Sequence, residues 1–423
     1  MRHSHSLHTI VVGAGAAGLM AARELARAGR RVSLLEARDR CGGRIHPLPF
    51  DDFGYAAEAG AEFVHGEAPL THRPMREAGL TLLPIQGSSH TMNRGNIVHS
   101  REVTDWTELY SALQCLREDM PVAEFLRRHF DGSRYIELRR WIERMAEGYD
   151  AADPEQASTL ALREEWMLGG HQTQGRILGG YGALIDYLTA ECRRYNVDIR
   201  LGSKISAVEL ESGRPVVRCA DGKAYVTDHV ILTVPLPLLE RIELPSAERA
   251  VAAAAADVGF GNVIKILLRF ETAWWHQRSD LQDLTFILSD AGIPVWWTQY
   301  PATSPVLTGW FAGPRTATLV DLTGTELVNL SLASLAEIFG EDASFLRERL
   351  VVGRAINWAN DPQARGAYSY ATPRTRDAQA ILSRFNGGNI LFSGEALYRG
   401  RDMGTVEAAL ASGLETACNL LGV

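Results

Sequence analysis

Cysteine is sparse and scattered in this sequence. The five cysteines, Cys41, Cys115, Cys192, Cys219 and Cys418, form no C-x-x-C pair. That excludes a disulfide framework and a zinc site as organising devices. No metal-ligand constellation stands out among the histidines either. Long apolar runs are also missing. No stretch reaches the roughly 18 residues that a membrane helix needs, and the alanine-rich run at 251–258 is too short. The chain starts polar, and the apolar run that follows is broken by Gly13, Gly15 and Gly18, so no signal peptide is expected. Basic excess is lacking too. Lys and Arg number 43 against 51 Asp and Glu, a net charge of −8, which argues against a nucleic-acid partner. Internal repeats and low-complexity linkers are absent. A soluble cytoplasmic protein is the expectation.

What is present is material for a large core. The hydrophobic fraction is 46% over 423 residues, a length that suits two or three domains of roughly 100–200 residues each. Residues 8–12 read as a buried parallel strand, and a helix follows with Leu19, Ala22, Leu25 and Ala26 on one face. Gly29 ends that helix, and residues 32–35 form the second strand. From Thr71 to about Gly169 the composition shifts to Arg, Glu, Leu and Trp at helical spacing, as at 125–130 and 135–145, which predicts a mostly helical insertion. Further strands are expected at 197–201, 205–210, 216–219, 229–233, 263–270, 295–300 and 390–393. Helices are expected after the glycines at 179–182, at 326–338 and at 405–421.

The fold class expected is α/β, or α+β overall: a Rossmann-like nucleotide domain interleaved with a substrate domain of mixed sheet and helices. The boundaries expected are 1–70, 176–255 and 380–423 for the first domain, and 71–175 and 256–379 for the second.

The sharpest signal is Gly13-Ala14-Gly15-Ala16-Ala17-Gly18. It is a G-x-G-x-x-G between a strand and a helix. The first glycine permits the tight turn, the second lets a pyrophosphate approach the backbone, and the third lets helix and strand pack closely. The helix N-terminus supplies free N–H groups and a positive dipole end. Glu36 closes the second strand, where a carboxylate accepts hydrogen bonds from ribose hydroxyls and repels a 2′-phosphate. The alternative is a structural turn with no ligand.

Glu36-Ala37-Arg38-Asp39-Arg40-Cys41-Gly42-Gly43-Arg44 extends the pattern. Gly43 permits another close backbone approach, and Arg38 and Arg44 are candidate phosphate partners. With this segment the sequence resembles the flavin-containing amine oxidases, which include monoamine, polyamine and L-amino-acid oxidases. The resemblance implies FAD. It extends to Glu58-Ala59-Gly60-Ala61-Glu62-Phe63-Val64-His65-Gly66, similar to the segment that passes beside the flavin, and to Ile205, on a strand similar to the one holding the adenine. It continues at Gly394-Glu395 and at Gly404-Thr405-Val406, where the last strand and the last helix of the family meet the cofactor. Where monoamine oxidases carry a flavin-linking cysteine this chain has Ala367, so the FAD is expected to be non-covalent.

Two residues are the candidates for chemistry. Lys265 interrupts the apolar run 263–270. Burying an ammonium is costly unless it is paired. The resemblance implies that it holds a water at the flavin and assists reoxidation; the alternative is a lysine snorkelling from a sheet edge. Tyr368, in a stretch that begins at Trp358, resembles one wall of an aromatic cage, with Trp358 packed on the flavin. Aromatic faces orient an amine. The opposite wall is less clear, because Arg401 stands where an aromatic is expected, with Tyr398, Trp296 or Trp297 as replacements. Arg401 reads as a surface arginine or as the partner of a substrate carboxylate. His65 joins the expected pocket. Glu164 and Glu165, before Trp166, read as a solvated helix face; the alternative that the resemblance to polyamine oxidases implies is that they and His65 stand at the entrance and hold a substrate's extra ammonium groups.

The function implied is an FAD-dependent amine oxidase. It would turn an amine into an imine and then an aldehyde or ketone, with O2 reduced to H2O2. L-amino-acid oxidase, desaturase or isomerase of an apolar substrate, and a flavin-stabilised binding module are the alternatives. The partners implied are a small-molecule amine and O2. No nucleic acid, no metal and no transmembrane anchor are expected, and a homodimer is left open.

Overall fold

The computed structural model describes residues 7–98, 105–168, 174–384 and 388–423, with the backbone alone for 166–168. The elements that position the site are, in chain order, β1 (His8–Val12), α1 (Ala16–Arg27), β2 (Arg31–Leu35), β3 (Phe63–His65), β4 (Ser88–Asn93), α2 (Ile136–Gly148), α3 (Gly180–Arg194), β5 (Asp198–Arg200), β6 (His229–Leu232), β7 (Val263–Phe270), β8 (Val295–Trp297), β9 (Val306–Ala312), β10 (Ile390–Phe392) and α4 (Val406–Leu421).

A five-stranded parallel sheet runs β10-β6-β1-β2-β5. All five residues of β1 are buried, as expected of a parallel strand covered on both faces. On one face lie α1, α3 and α4, sharing a core that includes Leu19, Leu25, Leu184, Leu188, Leu410 and Ala417. The other face packs Ile10, Val12 and Leu35 against a three-stranded meander containing Val208 and Val217. A second, seven-stranded sheet is mixed, with β7, β9 and β8 as consecutive antiparallel neighbours. The fold class is therefore α/β with a mixed second sheet, as the sequence indicates.

Strand alternation decides what β7 and β8 contribute. Ile264, Ile266 and Leu268 point to one face and join Trp296, Leu307 and Phe311 in a large core. Lys265 lies between them and points to the opposite face, toward Gly60 and Glu62. The segment 71–169 is less helical than its composition suggests. It contains the strands Leu82–Pro84, β4 and Asn96–Val98 as well as helices. In β4 only Met92 is fully buried, so there was no apolar alternation to read. β4 is held as a strand by its parallel partner Leu284–Leu288.

Among the described residues, no helix is long and apolar enough to cross a membrane, and no group of His, Cys, Asp or Glu is placed to hold a metal.

Candidate active site

One cavity of about 1390 Å³ runs from the β1–α1 turn to the aromatic face of the second sheet. Single-ligand pockets commonly measure about 300–1,000 Å³, so this one has room for a dinucleotide and a further small molecule.

At the nucleotide end, Gly13 has φ +101° and its N–H donates to the Leu35 carbonyl at 2.8 Å. Gly13, Gly15 and Ala17 line the cavity. Ala14 and Gly18, expected to touch the cofactor, do not reach its surface. They shape it from behind. The Ala14 N–H donates to Glu36 Oε2 at 2.7 Å. A side chain on Gly18 would collide with the Gly13 carbonyl and with Thr233. Glu36 lines the cavity and its other oxygen accepts from the Arg38 N–H at 2.8 Å. Ala37, Gly43, Ile205, Gly394, Thr405 and Val406 also lie on the wall. Thr405 caps α4, accepting from the Ala408 N–H at 3.2 Å, so the N-terminus of that helix faces the cavity.

The two arginines of the glycine-rich extension are on the wall but already partnered. Arg38 makes a two-pronged pair with Asp361 at 2.8 and 2.9 Å. Arg44 donates to Glu395 at 2.8 Å and to the Ala367 carbonyl, and Glu395 also accepts from Ser369. Each arginine has five N–H donors and spends two on these bonds, so both have donors left for a ligand.

Gly60, Ala61, Trp358 and Ala367 form the middle of the wall. Gly60 lies so close to the Arg44 carbonyl that no side chain fits there. The Trp358 indole donates to the Ala59 carbonyl at 3.1 Å. This stretch suits a flat ring system. At Gly15 and Gly394, both on the wall, an added Cβ would meet no protein atom within 4 Å; it would occupy ligand space. The cradle, the two helix N-termini and Glu36 together fit FAD, and Ala367 offers no atom for a covalent link.

Beyond Trp358 the cavity becomes aromatic. Phe63, His65, Tyr149, Phe286, Trp297, Trp310 and Tyr368 line it. Trp310 and Tyr368 pack against the same small cluster around Val263 and Ala367. The Tyr368 hydroxyl donates to the Tyr149 carbonyl at 2.5 Å, and burial pushes its pKa well up. His65 Nδ1 lies 3.1 Å from the Tyr149 hydroxyl, and burial lowers its pKa to about 4, so the ring is neutral at pH 7.

Lys265 is 1% exposed yet its head lines the cavity. It donates to Glu62 Oε2 at 2.8 Å and to the Gly60 carbonyl at 3.0 Å, so it is a paired inner lysine rather than an edge one. Burial works to raise the Glu62 carboxyl, but Lys265 and Arg176 outweigh it and hold it near 2.

Three expectations fail here. Trp296 is 0% exposed in the core, its indole donating to the Ile293 carbonyl at 3.0 Å; alternation along β8 gives only Trp297 to the cavity. Tyr398 is not on the cavity wall; Arg401 is not there either and is exposed, which agrees with its reading as a surface arginine. Glu165 is not a solvated residue: burial, with Asp402 nearby, raises its pKa to about 7. Only Glu164 matches that description, paired with Arg376 at the surface. The Trp166 side chain lies outside the described residues. Sequence reading also missed Asp150, which lines the cavity and whose pKa is raised by burial and by Glu165. Asp150, Glu165 and Asp402 come from three distant segments with no shared motif, and Trp310 likewise carried no local signal.

The family described as flavin containing amine oxidoreductase matches residues 16–143 and 100–421. Among curated relatives, polyamine oxidase 5 of Oryza sativa subsp. japonica is 28% identical over 96% of this chain and 86% of its own. Probable polyamine oxidase 4 of Arabidopsis thaliana is 29% identical over 97% and 86%. Lysine-specific histone demethylase 1B of Mus musculus is 26% identical over 99% of this chain and 53% of its own. A solved putrescine oxidase bound to putrescine superposes with a TM-score of 0.79, at 20% identity over 99% of both chains. A glycine cradle, two helix ends facing one cavity and an aromatic chamber beyond them are thus matched along nearly the whole sequence, and the chain belongs to the flavin-containing amine oxidoreductases: it is an FAD-dependent enzyme that oxidises amines at CH–NH or CH–NH2 groups.

Proposed function

We propose that this enzyme oxidises a di- or polyamine, with dioxygen as the acceptor and hydrogen peroxide as the by-product. The observation that carries the substrate class is the acidic group Asp150, Glu165 and Asp402: Asp150 lines the aromatic chamber, and from outside the wall Glu165 acts on it and Asp402 acts on Glu165. Among the described residues, none of the three carboxylates has an ion-pair partner, although Arg401 adjoins Asp402 in sequence. Burial raises all three pKa values, with a like charge adding to it at Asp150 and Glu165 and Arg401 opposing it at Asp402. A substrate ammonium would supply the missing charge. The relatives named polyamine oxidases and the putrescine-bound structure agree with this reading.

An amino-acid substrate fits less well. Its carboxylate needs a free cation, and the arginines near the chamber mouth are already paired: Arg140 with Glu137, Arg144 with Asp290 and Arg315 with Glu147. An apolar desaturase substrate would leave the acids without a partner.

The residues divide the work. The N-termini of α1 and α4, with Glu36, Arg44, Gly60, Ala61, Ile205, Trp358, Gly394 and Glu395, would hold FAD. With FAD held there, the site would have an acceptor for the hydride equivalent on the carbon next to nitrogen and a two-electron donor to dioxygen. Tyr368, Trp310 and Trp297 supply faces against which the amine lies. Neutral His65 and the protonated tyrosines add no charge beside the reacting nitrogen. Lys265 presents an ammonium at the inner end, where negative charge develops during reoxidation. Overall the amine loses a hydride and a proton to become an imine, dioxygen gains two electrons and two protons, and water then hydrolyses the imine.

The test is anaerobic mixing of the yellow holoenzyme with putrescine, spermidine, benzylamine and L-leucine, followed by flavin absorbance. Bleaching by the polyamines is expected. Asp150→Asn with Glu165→Gln should weaken polyamine binding by about tenfold to about a hundredfold, from about 1.5–3 kcal/mol per charged hydrogen bond, and leave benzylamine nearly unaffected. Faster bleaching by L-leucine than by any polyamine would overturn the substrate class.

A further inference from the structure

Glu62 sits on the cavity wall, where the sequence suggests a cofactor contact, yet its carboxylate is filled by the protein. Oε2 accepts from Lys265 at 2.8 Å. Oε1 accepts from Arg176 Nε at 3.0 Å, Trp297 Nε1 at 3.1 Å and Gln299 Nε2 at 3.1 Å. A carboxylate offers about four acceptor sites, and four protein donors already reach this one. Lys265 has the opposite balance. Two of its three N–H donors are spent, on Glu62 and the Gly60 carbonyl, and its head lies 5.5 Å from the Trp297 ring centre on the cavity wall. Arg176 is tied down elsewhere, donating to the Thr298 carbonyl at 3.0 Å and lying over the Phe63 ring at 4.7 Å. The network holds two cations and one anion, and the donor it leaves over belongs to Lys265.

We propose that Glu62 is a positioning residue that acts through Lys265: it keeps the lysine an ammonium with one N–H free for the cavity, and with the same carboxylate it fixes the Trp297 wall. Without Glu62, Lys265 and Arg176 would share a buried site whose remaining carboxyl, Glu58, is itself pushed up to about 7 by burial and carries little charge at low pH. Burial and repulsion would both then favour neutral lysine. The inner end of the cavity would lose its positive charge over part of the working pH range. A fixed positive charge there favours the more negative, reduced flavin. The inference rests on the reading that the Gly60–Ala61–Trp358 wall holds the flavin beside Lys265, and the Lys265→Met variant tests that reading separately.

The experiment measures the flavin midpoint potential of the holoenzyme from pH 6 to 9, without turnover. Lys265→Met should lower the potential at all pH values; no change would remove Lys265 from the flavin's surroundings and leave the amine-oxidase assignment intact. Glu58 titrates near 7 in every variant; beyond that shared step, Glu62→Gln should match the wild type at low pH and fall toward Lys265→Met as pH rises, and this extra fall is the break to look for. Glu62→Asp should restore the wild-type profile. The double variant Glu62→Gln/Lys265→Met should show no break. A Glu62→Gln profile that parallels the wild type, or a break that persists in the double variant, would overturn the proposal. If Glu62→Gln does not retain flavin, Glu62→Gln/Arg176→Gln removes the stranded second cation and is held to the same outcomes.

Discussion

Two adjacent tryptophans show how much one residue's direction decides. Trp296 and Trp297 share composition, strand and neighbourhood, and both are natural candidates for an aromatic wall. Successive strand side chains point to opposite faces, so only one of them can be. Trp296 fills the core against Gly309 and donates to a backbone carbonyl. Trp297 faces the cavity and donates to Glu62. Trp296→Phe should therefore cost about 1–3 kcal/mol, from lost volume and a lost buried hydrogen bond, and leave the amine KM unchanged. Trp297→Phe should shift the amine KM with a smaller loss of stability. Urea midpoints and steady-state kinetics on the two variants check this. Equal KM effects would mean that alternation does not separate their roles. The acids show the opposite limit of sequence reading. Glu165 sits in a charged stretch that looks solvated, yet it is half-buried, and burial with Asp402 nearby raises its pKa.

At the scale of elements, the nucleotide end depends on how closely α1 and α4 approach. Gly413 of α4 rests directly on the Ala17 carbonyl of α1, with no room for a Cβ. Ala17 in turn lines the cavity. Gly413→Ala must push the helices apart, at a cost of about 1–3 kcal/mol for overpacking, and should loosen FAD as well. Gly15→Ala is the contrast. Its Cβ meets no protein atom within 4 Å, so the apoprotein should keep its thermal midpoint while FAD binding is lost. A melting curve of each apoprotein and an FAD titration separate the two; a destabilised Gly15→Ala apoprotein would contradict an open cradle. These elements were legible in the sequence because each carries a local signal: glycines at the turn, β-branched strands, and an apolar face at 406, 410, 413, 417 and 420 on the last helix. β4 was not legible. Its sequence, SSHTMN, has no strand alternation and Met92 as its one apolar residue; besides a short hairpin with Asn96–Val98, it is paired with a strand almost two hundred residues away. The same holds for the chamber, which is assembled by contacts between segments that carry no common motif.

For the whole molecule, the buried titratable groups set opposing pH slopes. Burial raises Glu58 and Glu165 to about 7, and Asp150 rises with Glu165. A raised carboxyl binds its proton more tightly in the folded chain, so its stabilising contribution is complete below the ordinary value near 4.5 and is lost as pH climbs toward 7. His65 and His46 are lowered by burial to about 4. Their contribution is present above 6.5 and is lost as pH falls toward 4. Glu62, held near 2, adds a further loss below its ordinary 4.5. The slopes oppose each other between about pH 4.5 and 6.5, and above 6.5 only the carboxyls act, so stability of the amine-free enzyme should decline from pH 6.5 toward 8. A cation bound at Asp150 and Glu165 favours their ionised forms and should cancel that decline. A bis-guanidine of putrescine length, which has no neutral amine to oxidise, provides the probe. Its stabilisation follows RT ln(1 + [L]/Kd), so a tenfold tighter Kd at pH 8 than at pH 6 adds about 1.4 kcal/mol at saturating ligand. Thermal midpoints of the holoenzyme at pH 6, 7 and 8, with and without the probe, should diverge as pH rises. Equal shifts at all three values would mean that the buried acids do not face the ligand, and a diamine would then have no more claim on this chamber than a monoamine.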